Sequence, residues 1–178
     1  MCYGARDRDY GRISVPLAGN ITAIRLQYLH GYVSCNTDFG SLTQGHWGCG
    51  NHPDTEKYGL YSLSVFVTDS ANQIIAPHNP TYRVLASGWY SLPGFKSTSS
   101  EVVLTASPGL KVDQSQELRV WYGEDLNNKW TSNNGGRVCM NAFAFFTNEP
   151  WNDPWPWRNV SSSWTAVNPG GLEFSTEN

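Results

Sequence analysis

The stretch ELRVWYGEDLNNKWTSNNGGRVCMNAFAFF, Glu117 to Phe146, decides the fold. Its opening ELRVWYGE (Glu117–Glu124) sets Leu118, Val120 and Tyr122 on one side and Arg119 and Trp121 on the other. A period of two is the signature of a half-buried strand. Its end, RVCMNAFAFF (Arg137–Phe146), is apolar on both faces. That suits a central strand covered on both sides. Between the two lies GEDLNNKWTSNNGG (Gly123–Gly136), a polar hairpin loop in which Asn and Gly supply positive φ.

Outward from this hairpin the same alternation recurs. AIRLQYL (Ala23–Leu29) points Ile24, Leu26 and Tyr28 one way and Arg25 and Gln27 the other. YSLSVFVT (Tyr61–Thr68) places Tyr61, Leu63, Val65 and Val67 against Ser62, Ser64 and Phe66. Shorter candidates are RISVPL (Arg12–Leu17), YVSC (Tyr32–Cys35), QIIAP (Gln73–Pro77), TYRVLAS (Thr81–Ser87) and EVVLTA (Glu101–Ala106). Helix signals are almost absent. About nine strands separated by Gly, Asn, Asp, Ser and Pro predict an all-β protein, an antiparallel, jelly-roll-like β-sandwich.

Composition changes after Phe146. The segment PWNDPWPWRNVSSSW (Pro150–Trp164) holds four of the eight tryptophans. Its prolines at 150, 154 and 156 remove backbone donors and fix φ, which excludes a central strand. Residues 1–146 are therefore expected to form the sandwich, and 147–178 an extended Trp/Pro-rich strap packed on the same domain. Rings of the strap either complete the core or face outward as a contact surface. Trp151, Trp155 and Trp157 are candidate ligand contacts in the second case.

The 178 residues carry a net charge of −3, and only 15% of them are charged. Nucleic acid or an acidic membrane surface requires clustered Lys and Arg, and the sequence has no basic block. No apolar run of about 18 residues predicts a membrane span. The first residues, MCYGARDRDYGR, carry charge but no apolar run and do not read as a signal peptide. Four cysteines, abundant Trp and Tyr, and two sequons, Asn20-Ile21-Thr22 and Asn159-Val160-Ser161, predict a secreted, glycosylated protein with disulfides. Of the three connectivities, Cys35–Cys49 with Cys2–Cys139 is the expected one. A zinc site from Cys35, His46, Cys49 and His52 competes with it, but its first gap is too long for the usual zinc knuckle, so no metal is expected.

The hairpin loop carries the functional expectation. Asp125, Asn127, Asn128, Asn133 and Asn134 offer carboxylate and amide groups, and Trp130 has no apolar sequence neighbour to bury it. Amides hold sugar hydroxyls, and an indole plane stacks on the C–H face of a sugar ring. Calcium could use the same oxygens, but no Gly stands at the sixth position after Asp125, as an EF-hand loop needs. Signatures of hydrolase elbows, zinc proteases and phosphate loops are missing. The leading expectation is a secreted, non-enzymatic, carbohydrate-binding protein. The alternatives are a carrier of an apolar small molecule such as a carotenoid-type pigment or lipid, and a structural self-assembling protein forming homo- or hetero-oligomers. No other cofactor is expected.

Overall fold

The alternating stretches become the strands of two antiparallel sheets. A computed structural model describes residues 1–53, 60–78, 88–147 and 163–167. In chain order the strands are β1 (Cys2–Gly4), β2 (Gly11–Ser14), β3 (Gly19–Ser34), β4 (Gln44–Gly45), β5 (Val65–Thr68), β6 (Ile74–Ala76), β7 (Glu101–Val112), β8 (Glu117–Tyr122), β9 (Gly135–Thr147) and β10 (Ser163–Ala166). One helical turn, α1 (Gly123–Leu126), and 3-10 segments at Thr37–Thr43 and Thr131–Asn133 complete the elements. Strand makes up 51% and helix 10% of the described residues.

The first sheet is built on β3 and β9, paired from Asn20↔Thr147 to Ser34↔Gly135. On its far edge β9 carries β1 and, further along, β10. On its own far edge β3 carries β7 and β4. The second sheet has the order β2-β8-β5-β6. One apolar core joins Ile21, Ile24 and Leu26 of β3 and Met140, Ala142 and Ala144 of β9 to Ile13, Val65, Val67, Leu118 and Val120 of the other sheet. The apolar run Arg137–Phe146 is indeed central.

Several local expectations need correction. AIRLQYL and YVSC are one strand, continuous through irregularities at Ile21/Ala23 and Tyr28/His30. Gly31 (φ 87) makes this continuity feasible, because a Cβ there would meet the Arg137 carbonyl. YSLSVFVT becomes a strand only at Val65, where all four residues are buried, while Tyr61 is exposed. Phe66 is buried because the Tyr90 ring packs edge-on against it at 5.0 Å. Trp121 is likewise buried: the Tyr10 ring covers it at 4.5 Å and its indole N–H donates to Thr68 at 3.2 Å. The last two residues of ELRVWYGE leave the strand for α1. TYRVLAS lies outside the described residues.

The expected disulfides, Cys2–Cys139 and Cys35–Cys49, are both formed. Both thiols of the conceivable zinc set are thereby consumed. Of the C-terminal strap, Ser163–Ala166 pairs with Phe143–Phe146 as an edge strand, and Trp164 packs on Phe145 at 5.2 Å. Trp151, Trp155, Trp157 and Asn159 lie outside the described residues. Asn20 of the first sequon stands within the ladder, not in a surface loop. Its amide donates to Thr147 Oγ1 at 3.2 Å and abuts Gly109.

Candidate functional site

Strand register gathers the loops. Gly4 pairs with Arg137, Ser34 with Gly135, and Val65 with Tyr122. The chain after β1, the 3-10 segment after β3 and the loop between β8 and β9 therefore meet at one end of the sandwich. Ends of sandwiches are where variable, ligand-binding loops are carried.

The loop from Gly123 to Asn134 is braced from beneath. Glu124 is buried and accepts a hydrogen bond from the Trp89 indole at 3.0 Å. Asp125, only 5% exposed, accepts from the Arg8 backbone N–H at 3.1 Å through Oδ1. Burial pushes the Asp125 carboxyl above its usual range. The backbone N–H groups of Arg8 and Asp9 oppose that shift, and the charge of Asp7 adds to it. Asn134 is fully buried and donates to the Ala5 carbonyl at 3.2 Å. Ala5 in turn donates to the Gly136 carbonyl at 3.3 Å. The turn Ala5–Tyr10 and the hairpin loop thus lock together. Buried polar groups with hydrogen-bond partners rigidify a loop, and removing one partner costs about 1–3 kcal/mol.

Asp125 and Asn134 are therefore supports, which corrects the expectation that they face a ligand. Four other expected residues lie outward. Asn127 and Asn128 are exposed, Asn133 is half-buried, and Trp130 is 65% exposed. Trp130 has a left-handed backbone (φ 59, ψ 21) just before Thr131. A bulky residue there carries strain of about 1–3 kcal/mol, which a rigid surround must hold. Asn128 (φ 52) and Gly136 (φ 83) supply the positive φ expected of this loop. The result is a presented indole plane beside amides on a braced base, suited to stacking and bidentate hydrogen bonding.

Sequence reasoning missed the turn from Ala5 to Tyr10. Its residues, ARDRDY, have no apolar period, and Asp7 (φ 65) and Arg8 (φ 58) break any strand pattern. Charged residues alternating beside a terminal strand were its only signal. Among the described residues, no group of three or more His, Cys, Asp and Glu is placed to hold a metal ion. No helix among them is long and apolar enough to cross a membrane.

No family model and no curated protein matches the chain. Among solved structures it is similar to AJLec from the sea anemone Anthopleura japonica, with 31% sequence identity and a TM-score of 0.72. The match covers 82% of this chain and 92% of AJLec. Identity at that level over nearly the whole of AJLec extends the likeness from architecture to descent, and the chain belongs to the same family as AJLec.

Proposed function

We propose that the protein is a secreted, non-enzymatic lectin that binds carbohydrate at the loop end of the sandwich. Trp130 is the stacking plane, and Asn127, Asn128 and Asn133 are the hydrogen-bonding amides. The observation that carries this reading is the strained, exposed indole of Trp130 on a loop braced by buried Asp125 and Asn134. Strain held at a surface position by a buried, hydrogen-bonded base is characteristic of ligand sites. Membership of the AJLec family supports the reading, since AJLec is a sea anemone lectin. The two disulfides favour an extracellular location. The apolar-carrier and self-assembly readings gain no support from the family likeness.

Retention on immobilised monosaccharides, with elution by the free sugar, tests this directly. Trp130→Ala should weaken affinity for the retained sugar by about tenfold, the equivalent of one good aromatic contact. Undiminished retention of Trp130→Ala would overturn the assignment.

A further inference from the structure

The outer face of the second sheet bears a ladder of arginines and aromatic rings that begins at the candidate site. Arg12 of β2 and Arg119 of β8 stand directly opposite each other in the antiparallel register. Like charges so placed destabilise a sheet. Tyr10 lies between them, with the Arg119 guanidinium 4.6 Å and the Arg12 guanidinium 5.4 Å from its ring centroid. Tyr10 packs on Trp121, and the guanidinium of Arg8 lies over the Trp121 ring at 5.9 Å. Arg8 is also the residue whose backbone N–H holds Asp125 under the Trp130 loop.

The surrounding carboxylates do not neutralise this ladder one for one. Asp7 pairs with Arg6 at 3.3 Å and Asp9 with Arg137 at 2.6 Å. Glu117 is shared, at 2.8 Å from Arg119 and 3.4 Å from Arg12. Arg8 is exposed, and among the described residues its guanidinium has no carboxylate within ion-pair distance. Arg12 has a side chain 65% exposed and only the longer half of a shared partner. A chain of net charge −3 thus keeps a like-charged cross-strand pair and, beside its braced loop, an exposed guanidinium that belongs to none of these ion pairs. Tyr10 and Trp121 support the guanidiniums without neutralising them, and such a local conflict of charge is the kind that functional surfaces retain.

We propose that the ligand is an anionic glycan. Its acidic group, a sulfate ester or a carboxylate, sits on the guanidiniums of Arg8 and Arg12 while a neighbouring sugar ring stacks on Trp130. The inference rests on the reading of the Trp130 loop as a glycan site. Arginine suits the task because its planar fork grips an oxyanion through two parallel hydrogen bonds. The rings of Trp121 and Tyr10 hold the guanidiniums in place, so less side-chain freedom is lost on binding.

The test uses the full chain with three probes: a heparin-derived oligosaccharide, its desulfated form, which keeps only carboxylates, and a neutral oligosaccharide. At an ionic strength of about 0.15 M, affinity for at least one acidic probe should exceed that for the neutral one by about tenfold, and the excess should shrink as salt is raised. A gain confined to the sulfated probe assigns a sulfate ester, and a gain shared by the desulfated form assigns a carboxylate. In Arg8→Gln/Arg12→Gln the acidic-to-neutral ratio should fall to near one. Removing one member of the like-charged pair should leave the melting temperature at or above that of the parent. Equal affinity of the parent for all three probes, or an unchanged ratio in the double variant, overturns the proposal. So does equally tight binding of a single-stranded oligonucleotide, which would mark a generic polyanion surface. If the double variant loses its preference while Trp130→Ala binds like the parent, the ladder stands and the Trp130 reading falls.

Discussion

The seam between β3 and β9 and the loop that ends it are built from opposite materials. Along the seam, apolar side chains of both strands are buried in register from Ile21↔Phe146 onward, and backbone pairing is nearly continuous. In the loop, buried side chains are polar, the backbone turns through positive φ at Asn128 and Trp130, and the largest ring faces solvent. The seam can be strained nowhere without loss of packing. The loop holds its strain because Glu124, Asp125 and Asn134 tie it to Trp89, Arg8 and Ala5. Stability therefore resides in the seam, and the proposed recognition in the loop. Each variant below breaks one without the other or measures how they join.

Loss of the Cys2–Cys139 link should have the largest effect on stability. It joins residues 137 apart and fixes β1, the strand that delivers the Ala5–Tyr10 turn to the loop. Cys2→Ser/Cys139→Ser should cost about 3–5 kcal/mol by denaturant unfolding. Leu26→Ala, in the fully buried row of the seam, should cost about 3 kcal/mol, and an unchanged midpoint would place Leu26 outside the core. Trp164→Ala, which strips the ring packed on Phe145 and under the Arg25 guanidinium at 5.1 Å, should cost about 1 kcal/mol in the same assay.

Asp125→Asn probes the junction of the two regions through pH. A carboxyl raised by burial binds its proton more tightly in the folded than in the unfolded chain. Its stabilising contribution is complete below the unfolded-state value of about 4 and is lost as pH rises through the raised folded-state value. The Asn variant keeps an acceptor for Arg8 and cannot ionise. Its melting temperature should fall less than the parent's between mildly acid and neutral pH, and at neutral pH it should be no less stable. A steeper pH dependence in the variant would contradict the buried, proton-favouring site. Trp130→Ala should have the smallest effect on stability, within about 0.5 kcal/mol, because its ring is exposed.

The seam was legible in the sequence because its physics is local and periodic. Alternation at Ile24, Leu26 and Leu118, Val120 fixed the buried faces, and two-sided apolarity identified β9 as central. What failed there was continuity: nothing in AIRLQYL and YVSC shows that irregularities near Ala23 and His30 carry one strand through both. The loop was legible at Trp130, whose polar neighbours give it nowhere to hide. Asp125 and Asn134 misled because a buried support and a ligand-facing group use the same side chains. Only the position of the Ala5–Tyr10 turn, brought in from the far end of the chain, distinguishes them. The arginine ladder was invisible for the same reason. Arg8, Arg12 and Arg119 make no basic block in sequence and become neighbours only when β2 pairs with β8.

The most direct test of the account is the set of indole N–H resonances in a two-dimensional NMR titration of the full chain with the sugar that elutes it from the affinity matrix. The Trp130 signal, assigned as the one missing in Trp130→Ala, should shift progressively with sugar. The signals of buried Trp47 and Trp89 should stay in place. A saturable shift at other indoles with Trp130 unmoved would contradict the claim that the braced loop is the carbohydrate site.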